Sequence, residues 1–135
     1  MEQLEILATR KKKNVARLTR NSKIIKTIIN AVRGKKGEHI VSLDLRKVKE
    51  AVADFFIVCE ATNQPQIRAI AEFVEQEVNM KCKEAAYHHE GYHNLSWVLI
   101  DYVNVVVHIM LPEPRKFYQL EEMWSDAPVM EHNDA

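Results

Sequence analysis

Residues 97–110 read WVLIDYVNVVVHIM: two apolar runs, 97–101 and 105–110, separated by Tyr102, Val103 and Asn104. Both runs have strand length, and three residues are too few for a crossover. The spacing therefore predicts an antiparallel hairpin. Upstream, residues 54–60 give another strand signal, in which Phe55, Phe56, Ile57, Val58 and Cys59 show no alternation. A continuous apolar run suits a strand buried on both faces. It leads into Ala61, Thr62, Asn63, Gln64 and Pro65, where Thr62 or Asn63 is placed to cap a helix and Pro65 to sit in its first turn. Ile67, Ile70, Ala71, Phe73, Val74 and Val78 then recur at helical spacing as a buried stripe. Strand, cap and helix in close succession open a βα unit.

The flanks complete the pattern. Ile24, Ile25, Ile28, Ile29 and Val32 mark an amphipathic helix, capped by Asn21 or Ser22 and ended by Gly34 and Gly37. Residues 39–45 read as a short strand and 83–89 as a weaker edge strand. Pro112 and Pro114 break the sheet, and Phe117, Leu120, Glu121 and Trp124 pattern a short final helix. The expected fold is α/β (α+β), with a mixed, mostly five-stranded sheet flanked by helices in the order αββαβββα. Residues 1–20 are expected to form a basic tail or frayed helix, 21–127 a single domain and 128–135 a C-terminal tail.

At 135 residues and 15.7 kDa the chain can bury one ordinary core without staples. Cys59 and Cys82 form no C-x-x-C pair and no disulfide framework, which fits a reducing compartment. Residues 1–8 carry Glu2 and Glu5 in place of a cationic end followed by an apolar stretch, so no secretory signal is read there and a cytoplasmic location is expected. The net charge of zero hides an asymmetry, because Lys and Arg crowd the first 36 residues. Arg10, Lys11, Lys12, Lys13, Arg17, Arg20, Lys23 and Lys26 suit either a solvated basic face or an arm along RNA phosphates.

Residues 89–93 spell H-E-x-x-H, the pattern in which two histidines one helical turn apart hold zinc and a glutamate activates its water. That chemistry needs a helix. Gly91 stands in the middle of the motif, and Asn94, Leu95 and Ser96 lead straight into a strand, so a surface connection is expected. A zinc-dependent hydrolase using His89, Glu90 and His93 is nonetheless one alternative function, and adventitious zinc on His88, His89 and His93 a lesser one. Cys59 reads as a small buried hydrophobe and His108 as a sheet histidine, neither with a neighbour to activate it. Asp44, Asp54 and Asp101 fall at strand ends, where carboxylates fix turns. Three glycines build no phosphate-binding loop.

The order of unusual residues resembles the ribosomal silencing factor family, also called the Iojap family. The likeness runs through Ser42, Leu43 and Asp44, then 53–59, then Ile67, Ala69, Ile70 and Ala71. It continues in Glu90 and Gly91, 97–101, 105–108, and Arg115, Phe117, Tyr118, Leu120, Glu121 and Trp124, and covers roughly 21–127. The resemblance implies a nucleotidyltransferase-like topology without its active site, no catalysis and no cofactor or metal. It implies binding to the large ribosomal subunit through its fourteenth ribosomal protein, steric blocking of small-subunit joining, and a homodimer when free. Carried over residue by residue, the partner-binding patch falls on Trp97, Asp101, Tyr102, Val103, Asn104 and His108. Where the family has a leucine or tyrosine followed by Gly-Asp, this chain has Tyr102, Val103 and Asn104. Valine disfavours positive φ, and asparagine removes a charge that would meet a basic ribosomal protein. An RNA-binding adaptor working through residues 1–20 is the other alternative.

Overall fold

The computed structural model describes residues 18, 19 and 22–132. The elements are α1 (Lys23–Gly34), β1 (Glu38–Asp44), β2 (Phe55–Glu60), α2 (Gln64–Cys82), β3 (His88–Glu90), β4 (Trp97–Asp101), β5 (Val105–Met110), α3 (Pro112–Tyr118), α4 (Leu120–Met123) and β6 (Val129–Glu131). They build one six-stranded sheet in the order β3-β4-β5-β2-β1-β6. Only β2 and β5 run parallel, Phe55 facing Val105 through Glu60 facing Met110. The other neighbours are antiparallel.

The unbroken apolar run of 55–59 lands on a central strand, with Phe55, Ile57 and Cys59 on one face and Phe56 and Val58 on the other. On the first face α1 and α2 lie over the sheet. Ile28, Val32, Ile67, Ile70 and Val74 are fully enclosed there, each such side chain being worth roughly 1.5–3 kcal/mol of burial. The second face is covered by the 45–54 loop, α3 and α4, with Leu45, Ala53, Leu120 and Ala127 in the core.

The sequence signals for α2 act as expected: the Asn63 side chain accepts from the Gln66 amide at 2.9 Å, and Pro65 lies in the first turn. Ser22 caps α1 by position but makes no side-chain cap bond, since its Oγ accepts from the Thr19 amide at 2.8 Å. The hairpin loop is Tyr102–Val103–Asn104, the length expected.

Four details differ. The sheet has six strands where five were expected, because Val129–Glu131, within the expected tail, pairs with Val41–Leu43. Three residues are too few to show a period. The edge strand expected at 83–89 shrinks to His88–Glu90. Pro112 and Pro114 end the sheet but also open α3, where a missing N–H costs nothing. The expected single final helix is cut in two by Gln119, which adopts φ 46°. Apart from Leu18 and Thr19, the expected basic tail at 1–20 lies outside the described residues.

Candidate partner-binding site

The β4–β5 hairpin carries all six residues singled out from the sequence, yet it does not gather them into one spot. Trp97 pairs with Met110 at one end and Asp101 with Val106 at the other, roughly 13 Å apart at the rise of a strand. Alternation adds a second division: Trp97 and His108 serve the 45–54 side of the sheet, whereas Tyr102 joins the core under α1 and α2. All six are buried, from Asp101 and His108 with no exposure to Asn104 at 7%. These side chains therefore lie beneath the hairpin surface and support it.

At the first end the indole N–H of Trp97 donates to His108 Nδ1 at 3.1 Å. Because indole nitrogen only donates, Nδ1 must accept and the imidazole proton sits on Nε2. Burial pushes His108 down to about 3, so the ring is neutral and serves as an acceptor. Its ring also lies 4.6 Å from that of Phe56. From Trp97 the aromatic contacts run outward: Tyr118 is tilted against the indole at 5.0 Å, and Phe117 meets Tyr118 edge-on at 4.9 Å. Phe117 is 79% exposed, the most exposed large hydrophobic among the described residues. Helical spacing had placed it in the stripe with Leu120 and Trp124. The break at Gln119 ends that phase and turns the ring to solvent. The signal that was available is the pair of adjacent aromatics after two prolines, since neighbours on a helix cannot both face one core.

Arg115 fixes this outer layer to the sheet. Its guanidinium donates to the His39 carbonyl at 2.6 Å and to Glu121 at 2.9 Å, with Glu60 at 3.6 Å. The side chain is nearly enclosed, so the arrangement ties α3 and α4 to β1 and β2 through a buried charge.

At the second end, the Asn104 amide donates to the Tyr102 carbonyl at 2.9 Å, closing a γ-turn in which Val103 has φ 71°. This is a strained turn for a β-branched residue. It is held from three sides: Asp101 Oδ1 accepts the Val103 amide at 2.7 Å, Tyr102 donates to Val105 at 2.9 Å, and the Asn104 carbonyl accepts from Asp54 and Phe55. The positive φ that valine disfavours is thus retained because its surroundings over-determine it. Asp54 in turn accepts the Leu18 amide at 3.2 Å, and Asp44 accepts from Arg46, so all three strand-end aspartates bond to local or neighbouring backbone and side chains as turn-fixing groups.

The H-E-x-x-H residues are not on a helix. His89 lies on β3, where its Nδ1 sits 2.8 Å from Glu75, which also accepts the Tyr92 hydroxyl at 2.6 Å. His88 pairs with Glu90 at 2.8 Å, and His93 stands exposed in the following turn. Gly91 explains the departure: with φ 95° it turns the chain beneath β4, and any Cβ there would run into the Trp97 carbonyl oxygen. Two imidazoles one helical turn apart do not exist here, and no group of three or more His, Cys, Asp or Glu is placed to hold a metal among the described residues. The residues do not fit the zinc hydrolase alternative. Cys59 is fully buried, and burial pushes its thiol up to about 12, which leaves it unreactive. Among the described residues no helix is long and apolar enough to cross a membrane.

The family model described as "Ribosomal silencing factor during starvation" matches residues 19–135. Ribosomal silencing factor RsfS of Halalkalibacterium halodurans is 38% identical over 114 residues, 82% of this chain and 93% of the relative. The protein of the same name from Bacillus subtilis is 33% identical over 109 residues, 78% of this chain and 88% of its own. A crystal structure of a Chromobacterium violaceum protein superposes with a TM-score of 0.72 at 32% identity, covering 76% of this chain and 84% of that one.

Proposed function

The chain belongs to the ribosomal silencing factor family, and from that membership we propose that it binds the large ribosomal subunit through its fourteenth ribosomal protein, sterically blocks joining of the small subunit and so represses translation. It acts in the cytoplasm by occlusion, not catalysis. The observation that carries the location is the aromatic series from buried Trp97 through Tyr118 to exposed Phe117. An aromatic ring presented to solvent on a rigid, hydrogen-bonded base has the character of an interface anchor, because little conformational freedom is lost when a partner covers it.

Trp97 and His108 form that base. Asp101, Tyr102, Val103 and Asn104 form a second contact, in which their buried side chains hold the backbone of the strained tip in the shape the partner meets. Residues 1–20 add an rRNA contact that continues along exposed Lys23 and Lys26 of α1, where each phosphate neutralised makes binding more salt-dependent. When free, the protein pairs with a second copy through the same apolar surface.

Co-sedimentation with purified large subunits tests this reading. Wild type is expected to travel with them, and Phe117→Ala to lose about 2 kcal/mol, or roughly thirtyfold in affinity, with no change in fold. Trp97→Ala is less informative because it also opens the core. Equal binding by wild type and Phe117→Ala would remove the anchor role.

A further inference from the structure

On the second face of the sheet an open cleft of about 350 Å3 lies between the 45–54 loop and the end of α4, within the size range of binding pockets. Short turns set the backbone on both sides. In the loop Val48 donates to the Leu45 carbonyl at 3.0 Å and Ala51 to the Val48 carbonyl at 3.2 Å. Beyond α4, Ala127 donates to the Trp124 carbonyl at 2.9 Å, and its buried side chain draws the chain back onto the core. Val48 and Trp124, partly buried against that core, line the cleft together with Met123, which is 44% exposed.

The remaining lining is charged. Glu50 comes from the loop and Asp126 from beyond α4, so an exposed carboxylate stands on each side. Neither side chain is held by a hydrogen bond or ion pair among the described residues. Lys49 is the one cation among the described residues that line the cleft, which leaves two negative charges against one positive. Apolar walls between two carboxylates match a long cationic side chain, whose methylene stem covers apolar surface while its head reaches the acids. An aromatic residue in the wall adds a further attraction for a cation. Phosphate is the opposite case, because like charges repel it from the same rim.

The cleft is continuous with the Phe117 surface. From Phe117 the ring contacts pass through Tyr118 to Trp97, then to His108 at 5.8 Å, to Phe56 at 4.6 Å, and end on Trp124, edge-on at 6.0 Å. One aromatic layer thus carries the exposed Phe117 ring at one end and the cleft at the other, both on the same face. We propose, on the function given above, that this cleft is a socket for an arginine or lysine side chain of the ribosomal protein that meets Phe117. The stem of that side chain lies along Val48, Met123 and Trp124, and its charged head meets Glu50 and Asp126.

Isothermal titration of the full chain with the purified fourteenth ribosomal protein tests it, using wild type, Glu50→Lys, Asp126→Lys and Lys49→Glu. All three positions are exposed, so melting temperatures should match that of wild type. At about 0.05 M salt, Glu50→Lys and Asp126→Lys are each expected to weaken binding roughly tenfold and Lys49→Glu to tighten it severalfold. The differences should shrink at about 0.5 M salt, where the charges are screened. Equal affinity for wild type and all three variants overturns the socket and leaves the proposed function standing. Opposite signs, in this titration or in co-sedimentation with large subunits, overturn it as well, since they mark an anionic partner such as RNA. No binding by wild type removes the proposed function and the socket together.

Discussion

Gly91→Ala is expected to destabilise the protein more than any other single-methyl addition to its glycines. The added Cβ would enter the Trp97 carbonyl oxygen and stand 3.0 Å from the Val98 Cα, both backbone atoms at the start of β4. It would also sit at φ 95°, a region that L side chains rarely adopt. The backbone conformation costs roughly 1–2 kcal/mol, and displacing the packed strand a further 1–3 kcal/mol or so, together about 2–5 kcal/mol. Relief requires β4 to shift, which pulls Trp97 from His108. Urea unfolding followed by far-UV circular dichroism reads the change: with a slope of about 2 kcal/mol per molar, the midpoint falls by roughly 1–2.5 M. Gly34→Ala is the control, since its Cβ would meet only the Phe73 ring edge, at 3.3 Å, with no positive φ. It should shift the midpoint by a few tenths of a molar at most. Equal midpoints for Gly91→Ala and Gly34→Ala would refute the reasoning.

His108 gives the fold an acid sensitivity with a definite sign. Its folded value, lowered by burial to about 3, lies below the unfolded value of about 6.5, so the unfolded chain binds the extra proton. The contribution is full above pH 6.5 and is lost as pH falls toward 3, by up to about 1.4 kcal/mol per unit. Stability curves at pH 7.0, 5.5 and 4.5 should converge between wild type and His108→Leu as the pH drops. Arg115→Ala leaves Glu60, Glu121 and the His39 carbonyl facing an emptied, nearly enclosed site, and should cost about 3–5 kcal/mol in the same urea assay; a loss under 1 kcal/mol, by the scale of exposed pairs, would contradict the clasp. Of the two cysteines, Cys82 is half-buried and Cys59 enclosed. A disulfide-exchange reagent at pH 8 should modify one thiol per native chain and two in urea, and rapid modification of both in the native state would contradict the packing.

Much of this fold was legible because a few residues have one physical use. The unbroken 55–59 run suited a doubly covered strand, Thr62 or Asn63 with Pro65 suited a helix start, of which the structure uses Asn63, and a three-residue gap implied a hairpin. Gly91 inside H-E-x-x-H argues against a helix, and its φ and the Trp97 carbonyl above it give the reason. Illegible features depended on contacts from far along the chain. Val103 holds a positive φ because Asp101, Asp54 and Phe55 bond the turn around it. Val129–Glu131 becomes a strand only because β1 offers a free edge. Phe117 fits a buried stripe on paper and faces solvent because Gln119 interrupts the helix between it and Leu120. The six candidate residues could be drawn from the sequence as a proposed patch, but their burial beneath the surface could not, since apolar and turn-forming residues are equally at home beneath a contact as in one.

In the proposed function a surface anchored on Phe117 occludes the large subunit. Light scattering of purified subunits mixed with saturating protein measures joining directly. Wild type should suppress the rise in scattering, and Phe117→Ala, folded and equally stable, should restore it at the same concentration. Full joining in the presence of saturating wild-type protein would contradict the account.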